Sequence, residues 1–290
     1  MGDLTAYQDV INVAEWTVNL VGVVLLGRLA FSPDFRARQL RREPLPRWPV
    51  SPFDFLLLLA MAAMLAVAGT VMISTSFGPM INRSGSREGL LVVASGLGIH
   101  GSALLAWPLL RGLLRRLTPE LGDHPGLHPF EKRSRCSPTR ALLLGLATFA
   151  AALPVVFAVS YLWGLALHAM GLPEEPQDLI GIFSRTHSPL VMGGMLAVAC
   201  LLAPLNEELI FRRSIYRFVR DRLGWSRALV ISALVFGLVH GNWFGFLPLT
   251  VFGALLALAY ELTGDIRVPM IAHALFNLNT IIGIMAGFQQ

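Results

Sequence analysis

Residues 188–212 read SPLVMGGMLAVACLLAPLNEELIFR, an apolar run with no charge until Glu207, followed by a second carboxylate and then an arginine. A stretch of that length and hydropathy suits a bilayer, which takes about 20 apolar residues to cross. An ionisable group inside such a segment costs roughly 2.5–3.5 kcal/mol on insertion scales, so its presence calls for a functional or pairing reason. Working outward, comparable runs lie near 11–31, 53–75, 89–110, 141–169, 228–246, 247–263 and 268–287. With 188–210 they predict about eight helices. The expected fold class is all-α, a polytopic transmembrane helical bundle.

Composition agrees with this reading. The 290 residues are 54% hydrophobic and 14% charged, whereas soluble domains carry about 25% charged residues. The net charge is +5, and most of the basic residues lie in the segments 32–52, 111–140 and 212–227. The segments 76–88 and 170–187 between them are poor in basic residues. Such alternation predicts that the three basic segments are cytoplasmic loops, with both termini outside. Membrane orientation thus accounts for the high pI, and no nucleic acid partner is expected. Lys132 is the only lysine among many arginines, a composition that points to a GC-rich bacterial genome and so to a bacterial cytoplasmic membrane. The first ten residues contain Asp3 and Asp9 and no basic residue, so no cleavable signal peptide is expected. Cys136 in a basic loop and Cys200 in an apolar run are not expected to pair.

Three polar clusters interrupt the apolar runs: Glu207-Glu208 with Arg212, Phe236 with His240, and His273 with Asn277. On a helix, Glu208 and Arg212 are four apart and can pair, while Glu207 is rotated by about 100° from Glu208 and is free to face a cavity. A carboxylate so placed can act as a general base on water. The plainer reading is an ion pair at a helix end. His240 lies beyond Arg227 by roughly 20 Å of helix, too deep for the interface unless the sixth helix begins outside the bilayer. Phe236 is one turn earlier and could wall the site. His273 and Asn277 are also four apart and reach one cavity, offering a ring nitrogen and an amide donor to an oxyanion. An interhelical polar clasp is the alternative for both histidines.

In this order the clusters read Glu207-Glu208-Leu-Ile-Phe-Arg212, Phe236-Gly-Leu-Val-His240 and His273-Ala-Leu-Phe-Asn277. They resemble the CPBP family, the Ras-converting-enzyme type CAAX prenyl proteases and their bacterial Abi relatives. Gly253, Tyr260, Thr263, Gly264 and Pro269 also look like that family's last two helices. The resemblance covers about the last hundred residues, with Arg213 a departure from the small residue common after the motif arginine. It divides the chain into residues 1–187, of unassigned role, and a catalytic portion at 188–287. It implies an intramembrane endopeptidase that hydrolyses a membrane-associated protein or peptide by a glutamate-activated water, without an acyl-enzyme. Glu207 would be the base and His240 its partner on the water. His273 and Asn277 would stabilise the oxyanion, and Glu208 with Arg212 would fix the helix. The residues themselves fix no cofactor, though they supply Glu and His ligands. The resemblance leaves open a divalent metal such as zinc, with Glu207, His240 and His273 the ligands available. A non-proteolytic scaffold or immunity protein and a proton-coupled transporter are the rival readings.

Other polar residues invite plainer roles. His124 and His128 each precede a proline, which argues against a ligand-bearing helix. Glu174-Glu175 reads as a solvated loop, and His100 and His168 as hydrogen-bonded structural residues. Gly253 and Ala257 suggest helix packing, and Glu261 an interfacial position.

Overall fold

A computed structural model of the chain describes residues 7–34, 45, 48, 50–117, 136–172 and 178–286; the side chains of 178–180 and 184 lie outside that description. The loop residues His124, His128, Glu174 and Glu175 lie outside it as well. The described residues form nine helices and no strand. We label them α1 (Gln8–Phe31), α2 (Pro52–Asn82), α3 (Arg87–Leu117), α4 (Pro138–Met170), α5 (Asp178–Arg185), α6 (Pro189–Leu223), α7 (Trp225–Val239), α8 (Trp243–Thr263) and α9 (Arg267–Met285). Seven are long and apolar enough to cross a membrane; α7 is shorter. The molecule is a polytopic helical bundle.

Local chemistry sets the helix starts. Ser51, Ser137 and Ser188 each precede a proline, and their hydroxyls accept from Asp54 N, Arg140 N and Val191 N. A serine cap is worth about 1 kcal/mol, and proline in the first turn gives up no helical hydrogen bond. Between α7 and α8 the chain turns at Gly241, whose φ of 62° suits glycine, and Asn242 then caps α8 through Gly245 N at 2.7 Å.

α4 is the central post, running against α1, α8 and α9. Its contact with α1 is tight at Gly22, where a Cβ would fall 1.9 Å from the Ala150 carbonyl oxygen. α7 lies along α8, and Gly237 permits the approach, since a Cβ there would meet Thr250 Oγ1 at 2.2 Å and the Phe246 carbonyl oxygen at 2.8 Å. One apolar core joins α2, α3 and α4 to α6, α7, α8 and α9.

Three sequence expectations change. The basic loop at 212–227 is helix as far as Leu223, with Gly224 the only break before α7. Arg212, Arg213 and Arg217 are buried, at 1% exposure or less. Partners make this tolerable, because a buried charge must be paired and hydrogen-bonded. Arg213 donates to Tyr260 Oη at 3.3 Å, and Arg220 donates to Glu261 through Nε at 2.7 Å and Nη2 at 3.0 Å. Glu261 also accepts from Tyr216 at 2.8 Å, so it clasps α6 to α8 rather than facing an interface. Arg222 lies 3.6 Å over the Phe218 ring, which stacks on Phe55 of α2. Secondly, the connector 170–187 contains α5. Thirdly, α7 starts at Trp225 and ends at Val239, so His240 terminates a short helix instead of lying midway along a long one.

Candidate active site

α6 is not uniform. Residues Val198–Leu202 and Leu209–Tyr216 are π-helical, and between them Ala203–Glu208 is a six-residue α segment carrying the two carboxylates. π-helical turns inside α-helices are frequent at functional sites. They leave carbonyls that seek outside donors. Asn277 Nδ2 donates to Ala199 O at 2.8 Å, and Ser232 Oγ donates to Phe211 O at 3.1 Å. The Asn277 amide has a second N–H, so the bond orients the group and leaves a donor over.

His273 stands between the two glutamates. Its Nδ1 is 2.9 Å from Glu208 Oε1, and its Nε2 is 3.7 Å from Glu207 Oε2. Glu208 and His273 are buried, while the Glu207 side chain keeps 18% exposure. Behind Glu208, Arg212 Nε lies 3.1 Å from Oε2, and Arg212 Nη2 donates to the Gly253 carbonyl at 3.2 Å. The Nε contact is an ion pair without hydrogen-bond alignment. Glu207 Oε2 is buried and has no hydrogen-bond partner among the described residues.

Aromatic rings enclose the cluster. Phe236 is fully buried; the Arg212 guanidinium sits 4.5 Å from its centroid, and His273 meets it edge-on at 5.7 Å. Phe252 meets His273 edge-on at 5.5 Å. His240 tilts against Phe236 at 4.8 Å, with Nδ1 2.7 Å from the Phe236 carbonyl oxygen. A carbonyl only accepts, so Nδ1 carries the hydrogen and Nε2 of the neutral ring keeps its lone pair. The Phe236 spacing thus sets the tautomer of His240 as well as walling the site.

The structure therefore brings together Glu207, Glu208, Arg212, Phe236 and His273, with His240 joined through Phe236 and Asn277 through the first π-helical stretch. Among the described residues no three of His, Cys, Asp and Glu converge as a metal-binding group. Glu207, His240 and His273 accordingly do not fit a common metal position here. Cys136 and Cys200 form no disulfide among the described residues. One further histidine belongs to this neighbourhood. His100 of α3 pairs its Nδ1 with Asn206 Nδ2 at 3.3 Å, beside Glu207. Its sequence signal was only that of a lone histidine in an apolar helix, which a structural hydrogen bond explains equally well.

Residues 189–279 match a family described as type II CAAX prenyl endopeptidase, Rce1-like. The chain is 28% identical over 143 residues to a Bacillus subtilis (strain 168) protein named "Putative membrane peptidase YdiL", covering 49% of this chain and 56% of that protein. It is 30% identical over 135 residues to an "Uncharacterized 24.3 kDa protein" of Escherichia coli, covering 45% and 60%. A third relative, "Uncharacterized protein YpbD" of Bacillus subtilis (strain 168), is 33% identical over 93 residues, or 32% and 44%. The chain thus spans about half the length of the curated relatives it matches. No solved structure matches it.

Proposed function

We propose, from the premise that residues 189–279 form an Rce1-like domain in a multi-pass membrane protein, that the chain is an intramembrane endopeptidase using a glutamate-activated water. The observation that carries this is the bracket around His273, with Glu207 Oε2 at 3.7 Å from Nε2 and Glu208 at 2.9 Å from Nδ1. A carboxylate behind one ring nitrogen orients an imidazole for proton chemistry at the other. The base in front of it is a carboxylate oxygen with no partner of its own.

In the proposed reaction a water lies between Glu207 and the His240 lone pair. Glu207 takes one proton as the water oxygen attacks the scissile carbonyl carbon, forming the C–O bond. The spare Asn277 N–H donates to the resulting oxyanion, as does His273 through Nε2 with both ring nitrogens protonated and Nδ1–H held on Glu208. Collapse breaks the C–N bond, and the proton held by Glu207 passes to the leaving amine. The products are a carboxylic acid and an amine, and no covalent enzyme intermediate forms. Arg212 and Glu208 hold His273 still throughout. No step is routed through a metal.

The substrate is proposed to be a membrane-associated protein or peptide, reached from the bilayer. The basic ends of the helices support a site that opens toward the cytoplasm. Comparing membrane proteomes of cells carrying wild-type and Glu207→Ala protein tests the reading. Substrates should accumulate uncut only in the variant, with the variant folded and at normal abundance. Identical proteomes, or full cleavage by purified Glu207→Ala, would overturn it.

A further inference from the structure

α1 to α5 lie outside the Rce1-like match, yet one of them delivers a side chain to Asn206, the residue before the glutamates. α3 contains a π-helical turn at Leu97–Gly101. Close approaches clamp that turn on two sides. A Cβ on Gly98 would fall 2.6 Å from Thr70 Cα of α2, and one on Gly69 would fall 1.9 Å from Ser102 Oγ. On the other side, a Cβ on Gly96 would fall 2.2 Å from Val198 Cγ1 of α6. The turn is wedged between α2 and the first π-helical stretch of α6, and His100 is its polar member.

His100 meets Asn206, which is 4% exposed and immediately precedes Glu207. An amide nitrogen only donates, so His100 Nδ1 is the acceptor and its neutral ring carries hydrogen on Nε2. The bond ties the six-residue segment Ala203–Glu208 laterally at the point where that segment is flanked by π-helical stretches on both sides. There the usual i to i−4 ladder is interrupted in both directions and holds the rotation of the segment less firmly. The His100 ring is also within electrostatic range of Glu207, His240 and His273.

We infer that His100 is a positioning residue for Glu207: through Asn206 it fixes the angle at which α6 presents the base, making α3 part of the reaction unit. This rests on the endopeptidase reading above. The sensitivity follows from geometry. A carboxylate lies about 5–6 Å from its helix axis, so a rotation of roughly 10° moves it by about 1 Å. A misplacement of about 1 Å can cost on the order of a hundredfold in rate.

The full chain in lipid nanodiscs supplies two readouts. The first needs no activity: nitrogen NMR of isotope-labelled histidine, with the His100 signal identified by its loss in His100→Gln. His100 Nδ1 should be unprotonated, and its resonance should move in Asn206→Leu at an unchanged melting temperature. The second uses a mixture of internally quenched peptides. Asparagine places an oxygen near the position of Nδ1 and glutamine places one near Nε2. His100→Asn should therefore stay within about threefold of wild-type kcat, and His100→Gln should lose about ten- to a hundredfold. A packing role would treat the two alike. A protonated Nδ1, a resonance indifferent to Asn206→Leu, or equal rates in the two variants overturns the inference. If wild-type protein cleaves no more than Glu207→Ala, the endopeptidase reading fails instead, and the nitrogen spectrum alone decides whether His100 holds Asn206.

Discussion

Replacing Arg212 with methionine removes the guanidinium beside Glu208 from the buried cluster while keeping much of its volume. At 3.1 Å from Glu208, the guanidinium attracts the carboxylate by roughly 5 kcal/mol at an effective dielectric constant of about 20. Desolvation of both ions opposes most of that gain, so the pair in isolation adds little. Its removal from one side is another matter. Arg212 and Glu208 are both fully buried, and the variant would leave Glu208 with His273 as its remaining partner. Breaking a buried pair in this way costs about 3–5 kcal/mol. In purified protein in detergent, followed by tryptophan fluorescence on heating, that corresponds to a midpoint lowered by roughly 6–20 °C, taking about 2–4 °C per kcal/mol. The double variant Glu208→Gln/Arg212→Met no longer buries an unpaired charge. It should be less destabilised than the sum of the singles by about 1–3 kcal/mol. A single variant that melts within 2 °C of wild type, or strict additivity, would refute the reasoning.

Two further outcomes follow from other contacts. Asp265 is buried and accepts from Arg267 Nη2 at 2.7 Å, Arg267 Nε at 3.0 Å and Cys136 N at 3.3 Å. Burial pushes its carboxyl up, but the bonds from Arg267 and Cys136 prevail and hold it below the ordinary aspartate range. The folded state thus favours the ionised form, so the stabilisation is present above the ordinary value of about 4 and is lost as pH falls through the lower folded value. Asp265→Asn should cost about 1–3 kcal/mol at neutral pH, and melting curves of the two proteins should converge under strong acid; a gap independent of pH would count against the assignment. Gly237→Ala forces a Cβ onto Thr250 Oγ1 and the Phe246 carbonyl and should destabilise by about 1–3 kcal/mol. Adding Thr250→Ala should recover only part of this, because the carbonyl stays in place; full recovery would show that the backbone contact is harmless.

The spans were legible because hydropathy is local: seven of the eight apolar runs fall on α1, α2, α3, α4, α6, α8 and α9, whereas the run 228–246 crosses the end of α7, the turn at Gly241 and the start of α8. The Glu208–Arg212 pair was legible too, since four-residue spacing stacks side chains on one helix face. The fate of the other arginines was not. Arg213, Arg217 and Arg220 read as a cytoplasmic loop because their acceptors, Tyr260 and Glu261 among them, lie tens of residues away. His100 was overlooked as a site neighbour for the same reason, being 106 positions from Asn206. The π-helical widening of α6 leaves no mark in composition, and so the tie between Asn277 and Ala199 could not be foreseen. The depth of His240 turned on where α7 begins, and Gly224, with φ of 83°, decides that.

The brevity of α7 bears on the lipid around it. Its 15 residues extend about 22 Å, against a hydrocarbon core of about 30 Å. One side of the helix is not shielded by protein, since Val230, Leu234, Leu238 and Val239 are all exposed. Lipids touching that side must shorten to match it. Such thinning would draw the headgroups, and the hydration they carry, inward beside the helix end that bears His240. Hydrophobic mismatch at this edge would thin the membrane relative to the long helices elsewhere, and under the proposed endopeptidase reading it would shorten the path of a polar backbone through hydrocarbon to Glu207.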